Sequence, residues 1–505
     1  MLAHSAMDTF KRRLATGLTL VCFGFCTAFA APPATDEPSQ EITLAEAVQL
    51  ALRSNRTVKS SYLDRVVQKF DLKVARDQFS PDVDLDASAG YTGSETQTQG
   101  SSDATTSDLS LASTLTAKQE FKTGGTLTFS WARNDSLADT NSSAENRTGA
   151  NTWTVKFTHP LLKGAGVDVN TATLTLAELS EQSNLLSHRD TISATVNATI
   201  RAFRAYAQRA RQNAIIQASL ERSQAHLEMN RLLIELGRMP ANEIIQSESN
   251  LANQEFAHET ALNDLDNARL GLLKVLDLPR GTRLTPLEET DLPTVHPDPD
   301  RCLKTAFRNR ADFINARMAL ERAQIQLLLA QDNQKWDLDF TSQLSAGDTE
   351  QRTAADTETY NWNIGLRLAV PLYGDLTREQ TLLSARTGLK KAELALEEIK
   401  QNITLEVQDA IRVVEIRLKQ VGMAKRSREL SAKKLSVEQE KLKVGRTTTF
   451  QLVSFQNELV DSQNAEVNAR VDYLNSLTDL DTILGTTVKT WQIDYNKEND
   501  AWPGK

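Results

Sequence analysis

Apolar positions step by three and four through very long stretches of this chain, and by two through short ones. The series Leu389, Ala392, Leu396, Ile399, Ile403, Val407, Ala410, Val414, Leu418 and Val421 predicts one amphipathic helix with a heptad-like seam, from Thr377 to Lys443. At 1.5 Å per residue such a helix is on the order of 100 Å long. Gly445 breaks it, and a second helix returns from Phe450 to Leu484. An earlier stretch repeats the design, with breaks at Gly237 and Pro240 and a return through Leu276. Near the start, Leu44, Val48, Ala51 and Leu52, continued by Val58, Tyr62, Val66, Phe70 and Val74, predict a helix over Ile42–Phe79 that Pro81 stops.

The period-two segments lie between these helices. Val83, Leu85, Ala87 and Ala89 alternate with Asp82, Asp84, Asp86 and Ser88. Leu109, Leu111, Leu115 and Ala117 alternate again, and the turn Lys122-Thr123-Gly124-Gly125 leads to Leu127, Phe129 and Trp131, so Leu109–Trp131 reads as a hairpin. Trp153, Val155 and Phe157 run down to Pro160. Further on, Leu338, Phe340, Ser342 and Leu344 form one strand, and Trp362, Ile364, Leu366, Leu368 and Val370 form its return, ending at Pro371. The polar stretches Thr92–Asp108, Asn134–Asn151 and Gly347–Thr359 read as long loops.

The two halves are copies. Gly237–Glu255 aligns with Gly445–Gln463 without a gap, 208 positions on, with Ile244-Ile245 on Leu452-Val453 and Leu251 on Leu459. Asp82-Val83-Asp84-Leu85 matches Asp337-Leu338-Asp339-Phe340, and Pro160-Leu161 matches Pro371-Leu372. The offset falls from 255 to 211 between those pairs, so about 44 extra residues sit in the first half's strand region, most of them the hairpin Leu109–Trp131. The organisation that follows is a targeting segment at 1–30 and a first repeat at 31–278, with strands over 82–161 and a helical tip at 237–240. A proline-rich linker covers 279–300. The second repeat spans 301–485, with strands over 336–371 and a tip at 445–449, and a short, weakly ordered tail covers 486–505.

Composition narrows the chemistry. Lys11-Arg12-Arg13, the apolar stretch Leu14–Thr27 and Ala28-Phe29-Ala30 have the pattern of a secretory signal peptide. Its removal takes the formal charge from −9 to −11, which argues against nucleic acid as a partner. Cys22 and Cys26 fall inside that segment, so the exported chain has no internal disulfide; Cys302 beside Leu303 reads as a packed residue. His159, His188, His226, His258 and His296 show no metal-ligand spacing, and no phosphate loop or nucleophile elbow is present. The expectation is therefore no catalytic residues, no metal and no cofactor.

After residue 30 the sequence contains no long uncharged apolar run, so any membrane span must be built of strands. Tyr91, Trp153, Trp336, Tyr360 and Trp362 lie near strand ends, where an aromatic girdle would sit, although a soluble sheet would also use them in its core. A few strands per chain cannot close a wide barrel alone, and open edges cannot survive in lipid, so a pore needs several copies. Helices of about 100 Å exceed the roughly 30 Å hydrocarbon core and must project away from it. Gly237-Arg238 and Gly445-Arg446 mark the far tips. Gly suits the left-handed turn after a helix, and an exposed Arg on a rigid tip is a usable contact.

Taken with their order and spacing, Leu44-Ala45-Glu46-Ala47-Val48, Pro160-Leu161-Leu162-Lys163-Gly164 and both Gly-Arg tips resemble the TolC-like outer-membrane efflux and secretion channels over nearly the whole exported chain. The resemblance implies an α+β membrane protein. A homotrimer would share one β-barrel in the outer membrane of a Gram-negative bacterium, with four strands per copy, or six if Leu109–Trp131 joins the wall. The barrel would continue into a long periplasmic α-helical coiled-coil tunnel. The resemblance also implies outer-membrane lipid around the barrel, a periplasmic adaptor at the tips, an inner-membrane pump beneath, and transport of solutes without catalysis. The tip helices would close the tunnel like an iris. Glu243, Gln246, Gln451 and Ser454 occupy the positions of the periplasmic aperture; only Glu243 is acidic, which thins any cation-attracting ring. The alternative is a non-conducting periplasmic coiled-coil adaptor or structural envelope protein with no lipid-facing strands.

Overall fold

A computed structural model describes residues 40–96, 104–140, 143–237, 240–287, 292–352, 355–443 and 446–494. The targeting segment read at 1–30 lies outside the described residues. After β1 (Gln40–Ile42), the helix expected over Ile42–Phe79 is two helices. Thr43 opens α1 (Leu44–Ser54) with a capping box: its hydroxyl accepts from the Glu46 amide, and the Glu46 carboxylate accepts from the Thr43 amide at 2.9 Å. Asn55 ends α1 in extended backbone, and its side chain accepts from the Thr57 amide at 2.8 Å to start α2 (Arg56–Asp77). The apolar period runs through the break unchanged, which is why periodicity does not reveal it.

Four strands follow: β2 (Asp82–Thr96), β3 (Ala104–Glu120), β4 (Thr126–Thr140) and β5 (Ser143–Pro160). A single helical turn, α3 (Val167–Asn170), leads into α4 (Ala172–Glu235), and α5 (Glu243–Leu276) packs back along it. Next comes β6 (Leu284–Pro286), which pairs in parallel with β1 and buries Leu284. The proline-rich stretch is thus partly tied into the fold rather than being a bare linker.

The second repeat contains α6 (Pro299–Asn309), α7 (Ala311–Asp332), β7 (Asp337–Gln351), β8 (Thr357–Ala369), α8 (Leu376–Lys443), α9 (Thr449–Ile483) and α10 (Thr487–Thr490). Its α6–α7 break at Arg310 (φ −68, ψ 128) falls on the repeat position of Asn55 (φ −61, ψ 126). The 64 residues of α4 and 68 of α8 give rods of about 100 Å. Among the described residues, no helix is long and apolar enough to cross a membrane.

The large sheet is an antiparallel meander in the order β2-β3-β4-β5-β7-β8. The strands exceed expectation because the polar stretches read as loops are largely strand. Thr92–Thr96 pairs with Ala104–Asp108, Asn134–Ala138 with Asn146–Ala150, and Gly347–Thr349 with Thr357–Thr359. Ser and Thr there retain the ladder while losing the apolar alternation, so pattern alone read them as loop. Hairpin Leu109–Trp131 is inside the sheet, which has six strands among the described residues.

The two main cores sit midway along the long helices α4 and α8. Ile192, Val196, Ile200 and Phe203 of α4 close against Ala47, Val48 and Ala51 of α1 and Leu272, Leu273 and Leu276 of α5. Ile403, Val407 and Val414 of α8 close against Ala306 of α6 and Tyr473 and Leu480 of α9. Cys302 is buried there, and burial pushes its thiol pKa up. The stretch after Gly485 is ordered through α10, where Val488 enters the first core; residues 495–505 lie outside the described residues.

Candidate functional site: a two-faced sheet and two helical tips

Strand register carries the side chains of all six strands into common rows. One row runs Leu85, Leu115, Trp131, Trp153, Ala346, Tyr360. The next runs Val83, Ala117, Phe129, Val155, Leu344, Trp362. Below these lie Leu127, Phe157, Ser342 and Ile364, then Phe340 with Leu366, then Leu338 with Leu368. From Leu338 to Ala346 this apolar band measures about 26 Å along the strand before tilt, the scale of the roughly 25 Å lipid-facing band of an outer-membrane barrel. One row farther out the same face turns polar, with Arg133, Asn151, Asp348 and Glu358. Arg133 bridges Asp135 at 2.7 Å, and the Asn151 amide donates to Asp348 at 3.2 Å.

The opposite face is predominantly hydrophilic, with alanine as its apolar content farther out. Asp84, Thr116, Ser130, Thr154, Ser345 and Asn361 form one row, and Asp82, Lys118, Thr128, Lys156, Gln343 and Asn363 another. A sheet with one apolar and one hydroxyl-rich face divides lipid from water once it closes, since residue alternation then becomes wall alternation. The sheet does not close on itself. Edge strands β2 and β8 pair on one side only among the described residues. The expected girdle residues are exposed: Tyr360 and Trp153 share the uppermost apolar row, Trp362 lies one row below, Trp336 precedes β7 at the other end, and Tyr91 lies beyond the band.

At the far end of the helices, Gly237 takes φ +67, and its amide donates to the Ile234 carbonyl at 2.9 Å. A Cβ added there would meet open space, so the turn itself, not crowding, favours glycine. Arg446 is exposed, with its amide donating to the Lys441 carbonyl at 2.9 Å. Arg238 and Gly445 lie outside the described residues. Glu243 begins α5 half-buried and Gln246 is exposed one turn on; Gln451 is half-buried in the first turn of α9 and Ser454 is exposed. The two return helices meet where the Gln254 amide donates to Asn457 at 3.4 Å, about three turns above Glu243.

Periodicity did not single out a polar seam inside each hairpin. In the first, the Asn230 amide donates to Ser247 at 2.6 Å and the Asn250 amide to Ser223 at 2.9 Å, all four buried. His226 lies beside Asn230 at 3.2 Å, and burial depresses its pKa. In the second hairpin, Glu438 is buried and accepts from the Thr447 hydroxyl and from Lys441 at 3.0 Å, contacts that hold its carboxyl below the usual range. Asn230 and Glu438 occupy the same repeat position, a signal the duplication itself carries.

Elsewhere, His188 is buried between α2 and α4 with its Nδ1 2.8 Å from Ser61, near the Arg65–Glu181 pair at 2.5 Å, and burial followed by the Arg65 charge lowers its pKa. Among the described residues, no group of three or more His, Cys, Asp or Glu is placed to hold a metal ion.

Residues 302–486 match the family described as outer membrane efflux protein. The chain is 24% identical over 239 residues to outer membrane protein TolC of Escherichia coli (strain K12), a match covering 45% of this chain and 48% of that protein. It thus spans about half the length of that curated relative. Among solved structures, the CmeC outer membrane channel of Campylobacter jejuni aligns with TM-score 0.64 at 13% identity, over 90% of this chain and 89% of that one. VceC of Vibrio cholerae aligns with TM-score 0.63 at 16% identity, over 88% and 96%. The open-state MtrE channel of Neisseria gonorrhoeae aligns with TM-score 0.62 at 14% identity, over 88% of each. At these identities the likeness to the solved structures is one of fold.

Proposed function

We propose that this chain is a TolC-like outer-membrane efflux protein, a reading supported by the family match over residues 302–486 and the shared channel fold, and that three copies close one barrel in the outer membrane and one helical tunnel beneath it, forming the exit conduit of an efflux or secretion assembly. The observation that carries this reading is the sheet: one face apolar over a membrane-scaled band, the other polar, with both edges raw. Six strands alternate in direction, so β8 of one copy meets β2 of the next antiparallel, and a head-to-tail ring closes without a mismatched edge.

The repeat supports the same ring. In the second repeat, α7 packs against its own α8 and against α4 of the preceding repeat. Its first-repeat equivalent, α2, packs on its own α4 but has no preceding repeat in the chain. The consequence is visible in exposure. Met318 of α7 is 5% exposed while its equivalent Leu63 is 44% exposed, and Phe70 and Val74 stand open where Ile325 and Leu329 are half-buried. The missing neighbour is α8 of another copy.

In this reading the tips at Gly237-Arg238 and Gly445-Arg446 meet a periplasmic adaptor that couples the tunnel to an inner-membrane pump. Glu243, Gln246, Gln451 and Ser454 line the periplasmic aperture. Solute passes through water and nothing is catalysed. The alternative of a non-conducting coiled-coil spacer gives the apolar band no partner. Fractionation tests the placement: detergent should release the chain from envelope membranes as an oligomer, and release by salt or alkali alone would sink the proposal.

A further inference from the structure

We infer that the β3–β4 hairpin is a wall segment that widens the outer-membrane barrel to about eighteen strands, six from each of three copies, so that this section of the conduit is sized for bulky cargo such as polypeptide. The inference rests on the channel reading above and adds the width of the pore and the class of cargo it admits.

Three observations place the hairpin in the wall rather than over its mouth. Its register is unbroken on the β2 side from Asp82↔Lys118 to Thr96↔Ala104, and it reaches β5 from Thr126↔Thr158 to Ala138↔Asn146. Its alternation is in phase with its neighbours: Leu115 and Trp131 join the apolar row of Leu85 and Trp153, while Thr116 and Ser130 join the polar row of Asp84 and Thr154. A cap folded over the mouth has no reason to keep that phase.

The hairpin's turn, moreover, lies at the helical end of the sheet and is fastened there. The Gly166 amide donates to the Thr123 carbonyl at 3.2 Å, and the Gln119 amide donates to the Phe79 carbonyl at 2.6 Å. Gly124, at φ +99, approaches so closely that an added Cβ would lie 2.5 Å from the Gly164 carbonyl.

The insertion is also topologically neutral. β2 ends and β5 begins at the same end of the sheet, so an added up-and-down pair changes neither strand direction nor facing. The second repeat has no counterpart of the hairpin, running from β7 directly to β8.

Barrel diameter grows in proportion to strand number. With strands 4.8 Å apart and tilted by about 40°, eighteen strands give roughly 36 Å between backbones and twelve give roughly 24 Å. Side chains reduce these to about 25 Å and 14 Å; the wider lumen passes two helices side by side, each about 10–12 Å across, and the narrower one at most a single helix.

The test compares the full chain with a variant lacking residues 97–142, which joins β2 to β5 with Leu85 opposite Trp153 and both faces preserved. Neutral polyethylene glycols of graded size are added on the extracellular side of channels in planar bilayers, where they probe the barrel whatever the state of the tips. The full chain should admit polymers about 1.8-fold wider than the variant does, and imaging of the purified oligomers should show about eighteen strands against about twelve. Equal size limits, or about twelve strands in the full chain with the hairpin lying outside, would overturn the inference and leave the channel reading intact. Absence of conductance from both proteins would instead sink the channel reading. Should the variant fail to assemble, the strand count of the full-length oligomer decides.

Discussion

Trp131 and Trp153 lie directly opposite one another across the β4–β5 ladder, ring centroids 5.8 Å apart and planes inclined by 32°. The pair joins the hairpin found only in the first repeat to β5, the strand that pairs onward with β7 of the second repeat. Cross-strand aromatic pairs contribute about 0.5–1.5 kcal/mol beyond their buried area. Trp131→Ala and Trp153→Ala should each lower the temperature at which the oligomer dissociates. The double variant should lose less than the sum of the two, because one shared contact is lost. Strict additivity would show the rings to be energetically independent.

The two faces of the sheet make a sharper contrast. Leu127 and Thr128 are adjacent but occupy opposite faces. Leu127→Arg places a charge in the middle row of the apolar band, which costs about 2–4 kcal/mol near a bilayer midplane, and should sharply reduce the yield of membrane-inserted oligomer. Thr128→Arg points into the polar face and should insert nearly as well as the parent. Quantitation of detergent-extracted oligomer checks this, and equal losses would mean that the faces have been misassigned.

The long helices and the strand cores were legible because each carries its own period, and the duplication located the tips. What escaped the pattern did so for physical reasons. The breaks at Asn55 and Arg310 leave the apolar spacing intact and are made by one extended residue each. The outer thirds of the strands are Ser/Thr-rich and mostly polar on both faces, interrupted by the row Tyr91, Leu109 and Leu137, so little alternation marks them. The buried polar seam at Ser223, Asn230, Ser247 and Asn250 looks like helix surface in a sequence, and only the facing helix makes it an interior.

Gly237 offers a test of tip geometry. A β-branched residue at φ +67 is strained by about 1–2 kcal/mol even in open space. Gly237→Val should re-form the turn at the end of α4 and reduce export in cells while leaving the oligomer's thermal stability nearly unchanged, since the main cores lie along the middle of the helices. Unimpaired export by a stably expressed Gly237→Val chain would remove the tip from the docking role.

The first hairpin should loosen on mild acidification. Burial holds the pKa of His226 below its ordinary value of 6.5, so the unfolded chain takes up the proton first as pH falls. Stability is therefore lost from about pH 6.5 downward until the depressed folded pKa is reached. Amide exchange across α4 and α5 should accelerate over that window, and His226→Gln should flatten the dependence. Glu438 acts lower on the scale: its folded pKa lies below 4.5, so its stabilisation is complete above that value and lost as pH falls further. A pH-independent exchange rate in the parent hairpin would contradict the first assignment.

The central claim is that copies of this chain close a water-filled barrel in a lipid bilayer. Single-channel recording of the detergent-extracted, purified oligomer in planar bilayers tests it most directly. The account predicts discrete, stepwise insertions, each adding a constant ionic conductance that persists under voltage. A protein that stays in the aqueous phase as a soluble rod and leaves the bilayer silent would contradict it.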